Sequence, residues 1–278
     1  MIKDILVHIP TERSARPVID GSISLAAKFG AQVDALAVSY ITAGTSYIME
    51  GGVAMAAVLK LERERALERA KATLETFETE AKNAGVSYSC RALDATPAEA
   101  TATAGGAAKL YDLNVVLQPD NNRATFDNTL PLEILFQAGG PVLFLPHIFT
   151  GAFKTGRIGI CWDGSRVAAR ALRDASPFLE QAEQLIIVTV NEADSLASEV
   201  SSENLAKHLS RQGLSSRTVL LSGPRSQIQP MILSLAADES LDMLVMGGYG
   251  HSRLQEAFLG GVTRGMIESM TVPTLMAH

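Results

Sequence analysis

Gly247-Gly248-Tyr249-Gly250-His251-Ser252-Arg253, continuing to Gly260-Gly261-Val262-Thr263, follows an apolar run, Met243-Leu244-Val245-Met246. The run is short, free of charge and closed by glycine, which reads as a strand buried on both faces of a parallel sheet. Glycines 247 and 250 fall where such a strand turns toward a helix. Nine residues separate Gly250 from Gly260, and Val262 to Met270 has helical character. Two glycine turns, one ending a strand and one opening a helix, leave bare backbone N–H groups with no Cβ to hold a ligand away. Beside the positive end of a helix they suit an anion such as phosphate. The same residues also read as two ordinary glycine turns, because short glycine patterns recur by accident.

Working outward, the second half alternates strands and helices. Arg157 to Cys161 is a strand leading to Trp162-Asp163, and Ser165 caps a helix expected to reach Leu179. Gln184 to Val190 and Ser216 to Leu221 are strands, Ser201 to Gln212 and Ser226 to Asp238 helices, and Val272 to Met276 the last strand. The first half has the same order. Its strands are Ile5 to Ile9, Gln32 to Tyr40, Val86 to Leu93, Leu113 to Leu117 and Pro141 to Leu145. Its helices begin at a Ser14 cap, at about Met55 (after a loop holding Gly51 and Gly52), at the Thr96–Glu99 capping pattern and at Leu130. The Met55 helix, ending near Asn83, carries the charge run Glu62-Arg63-Glu64-Arg65, which reads as a solvated face. Gly140 to Leu145 and Thr271 to Met276 hold the same place in each half, so the chain is a duplicated α/β protein: domains at 1–146 and 157–278, with a linker near Pro146 to Gly156.

Composition bounds the partners. A formal net charge of −6 argues against a nucleic-acid surface. No apolar stretch approaches the ~20 residues of a membrane span, and Met1-Ile2-Lys3-Asp4 enters a strand with no secretory leader, so a cytoplasmic protein is expected. Two cysteines, Cys90 and Cys161, make neither a disulfide framework nor a metal cluster; both read as buried strand residues.

Gly247-x2-Gly250-x9-Gly260, with Val262-Thr263 close behind, resembles the nucleotide loop of the universal stress protein family. The family's pattern places Ser or Thr after the third glycine; here Gly261 stands there, and Thr263 could supply a hydroxyl instead. The resemblance covers the chain as a tandem pair and is specific in the second half. It implies two Rossmann-like domains, each a five-stranded parallel sheet of order 3-2-1-4-5 with helices on both faces. In that order strands 1 and 4 form a topological switch point, where open α/β sheets bind ligands. The implied ligand is ATP or AMP, with Mg²⁺ a companion of ATP. The implied contacts are Asp163 and Val190 to adenine, Met246 and Tyr249 near the ribose, and Gly247, Gly250, Gly260, Gly261, Val262 and Thr263 around the phosphates. A carboxylate accepting from the adenine amine is sound chemistry, although Asp163 before Gly164-Ser165 also reads as a turn residue. Arg253 could pair with phosphate or stay solvated, and His251 reads as a loop polar group rather than a base.

The first half lacks these features. Pro10 stands where Asp163 stands in the repeat, and strand 4 runs into Gln118-Pro119-Asp120-Asn121-Asn122 without glycine, with Asp120 adding negative charge. No nucleotide is expected there. That half is expected to stabilise the pair through strand-5 pairing within the chain, with a homodimer also open. The functional expectation is a stress-response regulator that binds nucleotide in its second domain, with at most slow ATP hydrolysis. The alternatives are an adenylate-forming enzyme of the same fold and a nucleotide-free dimerisation scaffold. No Walker A sequence occurs.

Overall fold

A computed structural model of the chain describes residues 1–41, 45–249 and 261–278. Its strands are β1 Asp4–Ile9, β2 Gln32–Tyr40, β3 Tyr88–Ala95, β4 Leu113–Leu117, β5 Val142–Leu145, β6 Arg157–Cys161, β7 Gln184–Val190, β8 Ser216–Leu221, β9 Met243–Gly247 and β10 Thr274–Ala277. They form one sheet in the order β3-β2-β1-β4-β5-β10-β9-β6-β7-β8. Each half thus runs 3-2-1-4-5, all parallel. The halves do not form separate sheets. β5 and β10 pair antiparallel, with Leu143 opposite Leu275 and both fully buried. This seam removes two edges that would otherwise offer unpaired backbone to another chain.

The helices are α1 Arg16–Phe29, α2 Thr45–Ala84, α3 Pro97–Ala108, α4 Leu130–Gln137, α5 Arg166–Asp174, α6 Ser176–Leu179, α7 Glu192–Ser195, α8 Ser202–Arg211, α9 Ile228–Asp238 and α10 Val262–Ser269. Alternate strand residues enter opposite cores, as a two-residue period requires. Val7 and Ile9 pack with Leu25 of α1, Phe77 of α2 and Phe178 of α6. Leu6 packs on the other face with residues such as Ile134 of α4, Ile232 of α9 and Met266 of α10. The expected linker lies along α1: the Phe153 N–H donates to Ser24 Oγ at 2.7 Å, and the Phe153 and Phe178 rings stand 6.0 Å apart.

Several local expectations change. The cap of α1 is Ala15 without a side-chain bond, not Ser14, whereas the Thr96–Glu99 capping box forms as expected. α2 begins at Thr45, so Gly51 and Gly52 fall inside it, not in a loop. The helix expected to reach Leu179 divides at Ala175, because Pro177 has no N–H and its ring obstructs the carbonyl a turn earlier. Cys90 is exposed on the edge strand β3 rather than buried, whereas Cys161, half-buried at the end of β6, packs against the core.

Candidate functional site

The carboxyl ends of β6 and β9 are adjacent in the sheet, and a cleft of about 410 Å³ opens there. β6 leads into Trp162 and Asp163. Gly164 follows in the left-handed region, φ +68°, and Ser165 caps α5 by accepting from the Ala168 N–H at 3.2 Å. Asp163 Oδ1 accepts from the Ser165 N–H at 3.0 Å, so the turn reading and the cleft position coexist. Cys161 borders the same cleft, its thiol pushed up to about 12 by burial and then by Asp163. It stays a neutral thiol.

Gly247 ends β9 under the first turn of α5. A Cβ there would stand 2.6 Å from the Ala168 nitrogen and 2.6 Å from Val167 Cγ2. Helix-on-strand packing thus demands this glycine, independently of any ligand. Gly261 is the N-cap of α10 with φ −65° and ψ 146°, and contributes no side-chain bond to the first-turn N–H groups. Gly261, Val262 and Thr263 all line the cleft, so an uncapped helix N-terminus faces it. Thr263 Oγ1 accepts from the Tyr249 N–H at 3.2 Å and ties together the two ends of the glycine stretch.

Of the sequence-derived residues, the cleft gathers Asp163, Val190, Met246, Gly247, Gly261, Val262 and Thr263. Gly250, His251, Arg253 and Gly260 lie outside the described residues. Tyr249, expected near the ribose, is not in this lining. Its backbone is left-handed, φ +53°, and its ring packs on Phe136 at 4.9 Å, across the seam from α4. It borders a different cleft of about 310 Å³, with Asn121, Arg264 and Glu268. The reversed backbone is the reason: a positive φ sends the side chain away from the direction an extended residue would take.

Other lining residues went unread in the sequence. Asn191 and Arg225 border the cleft, and Ile228 and Ile232 of α9 give it an apolar wall. Asn191, φ +55°, donates through Nδ2 to the Gly223 carbonyl at 2.8 Å and accepts the Gly223 N–H at 3.0 Å. It thereby pins the loop after β8 against the end of β7. The sequence signal was the Ser222-Gly223-Pro224 turn after a strand, which marks a loop but not its partner.

The equivalent crevice of the first half is filled from within. Asp127, in a 3₁₀ turn at Phe126–Asn128, is fully buried. Its Oδ2 accepts from the Thr11 and Glu12 N–H groups, both at 2.8 Å. Arg13 donates to the Gln118 carbonyl at 2.7 Å, and buried His8 stands 3.7 Å from Asp127 Oδ1. Burial raises the Asp127 pKa. Burial, then Arg13, lowers that of His8 to about 3. Asp120, the acid singled out in the sequence, lies at the margin, ion-paired to Arg123 at 3.4 Å. Asp127 is the acid that turns inward.

The fold and this cleft define an open, doubly wound α/β protein with its concave site at the switch point. Residues 154–278 match the model of the universal stress protein family, so the second half of the chain is similar to that family. A universal stress protein of Methanocaldococcus jannaschii is 32% identical over 75 residues, 27% of this chain and 44% of that relative, so the chain spans under half its length. The structure is similar to that of a universal stress protein from Archaeoglobus fulgidus, with a TM-score of 0.71, 17% identity and coverage of 98% of this chain and 95% of that one. It also resembles a functionally unknown protein from Pseudomonas aeruginosa, with a TM-score of 0.62, 14% identity and coverage of 99% and 92%. At these identities the two solved structures speak to the fold. Among the described residues, no helix is long and apolar enough to cross a membrane.

Proposed function

We propose that the domain at 157–278 binds an adenine nucleotide, ATP or AMP, as the sensing module of a cytoplasmic stress-response regulator, and that the domain at 1–146 is structural. One observation carries the reading. Asp163, the close-packed Gly247 and the uncapped start of α10 border one cleft at the switch point. The adenine amine would donate to Asp163, while Ile228, Ile232 and Met246 would cover the base. Phosphate would meet the α10 N–H groups, whose orientation favours negative charge. Gly261 leaves those donors without a competing side chain. Any Mg²⁺ would arrive on the ATP phosphates; among the described residues no cluster of three His, Cys, Asp or Glu side chains is placed to hold one.

Trp162 is the only tryptophan of the chain and borders the cleft, so it reports directly. Titration with ATP or AMP is expected to change its fluorescence saturably. Asp163→Ala should weaken binding by about tenfold through loss of the base contact, with only a small fall in melting temperature from loss of the exposed Ser165 N–H bond. A flat wild-type titration, backed by no thermal shift, would refute the reading.

A further inference from the structure

We propose that Arg225 is a specificity-determining residue of this cleft, gripping the phosphate of the bound ligand and setting the preference for nucleotide over nucleoside. The inference rests on the nucleotide reading above. The described lining contains two charged side chains, Asp163 and Arg225. A phosphate at the α10 N–H groups gains further from a cation, and among the described lining residues Arg225 alone supplies one. Its guanidinium offers paired N–H donors that match phosphate oxygens. It is exposed, and among the described residues no carboxylate forms an ion pair with it.

The loop around Arg225 is fixed. Asn191 holds Gly223 through both its N–H and its carbonyl, Pro224 precedes Arg225 with φ −65°, and the Gln227 N–H closes a turn on the Pro224 carbonyl at 2.8 Å. α9 follows at once, and its first turn lies beside α10: a Cβ on Gly265 would stand 3.3 Å from Gln229 Cγ. Arg225 therefore sits one turn before a residue that touches α10, on the rim of the cleft that the α10 N-terminus enters. A helix start and a guanidinium then bear on one anion from two elements.

The test compares adenosine, AMP and ATP against wild type, Arg225→Gln and Arg225→Lys at two salt concentrations, read by Trp162 fluorescence and by calorimetry. Arg225 is exposed, so both variants are expected to melt with the wild type. Expected is a loss of about tenfold for AMP and ATP in Arg225→Gln, adenosine unchanged, a shallower salt dependence, and partial recovery in Arg225→Lys. Unchanged AMP and ATP affinity in Arg225→Gln would overturn the inference and leave the nucleotide reading standing. An equal loss for adenosine would also overturn it, placing the side chain on the base. If wild type binds none of the three, the nucleotide reading fails and takes this inference with it.

Discussion

The two crevices of this sheet share a topology and differ in what fills them. After β6 the chain offers Asp163 to an open cleft, and α10 begins there without a capping side chain. After β1 the backbone N–H groups of Thr11 and Glu12 are bonded to Asp127, which lies between β4 and α4. On the proposed function one half holds donors for an outside anion, while the other carries a carboxylate of its own. The two switch points thus share a strand order, and a buried acid of the chain occupies one of them.

The largest effect that can break this comparison is expected at Gly247. Gly247→Val would drive a side chain into the α5 backbone, destabilising the protein by about 3 kcal/mol and removing nucleotide-dependent protection with it. Denaturant titration measures the first part. If the variant keeps wild-type stability, α5 does not sit on β9 as described. Next comes the plug itself. Asp127→Ala strands two N–H groups in the interior and should cost about 2 kcal/mol, with Asp163-dependent binding unaffected. Coupling of that mutation to nucleotide affinity would show that the halves do not act separately.

Acid should find the first half before the second. His8 titrates at 6.5 when unfolded and at about 3 when folded, so the unfolded state takes up its proton first. Stability then falls as pH drops below about 6.5, by at most about 1.4 kcal/mol per pH unit. Asp127, with a raised pKa, acts oppositely, its protonation favouring the folded state between its folded value and the ordinary carboxylate range. His147, its pKa also lowered by burial and then by Arg13, adds to the loss in the same direction as His8. His8→Gln should flatten the urea midpoint between about pH 6.5 and 5; an unchanged slope would acquit this residue. The smallest effect sharpens the open cleft. Gly261→Ser supplies the capping hydroxyl that the family pattern carries, for a gain of a few tenths of a kcal/mol in stability. That hydroxyl competes with phosphate for the same N–H groups, so AMP affinity should fall, by no more than about threefold.

Much of this was legible in the residues. Leu113–Leu117 and Leu130–Gln137 fall as read, since a short apolar run and an apolar helical face each bury themselves locally. The matching ends of the two halves showed the duplication, and the family resemblance implied the strand-5 seam. What stayed hidden depends on direction rather than type. Asp120 and Asp127 share one loop, and only the fold decides which turns inward. Tyr249 follows the glycines as a ribose contact would, yet its left-handed backbone turns it to Phe136. Arg225 reaches the cleft because β8 lies two strands from β6, a proximity that no local spacing encodes.

The most direct measurement is the stoichiometry of nucleotide binding by calorimetry on the full chain, for wild type, Asp163→Ala and Asp127→Ala. One site per chain is expected, weakened in Asp163→Ala and intact in Asp127→Ala. Two sites per chain, or one site indifferent to Asp163 and lost with Asp127, would contradict the assignment of the open cleft to the second half.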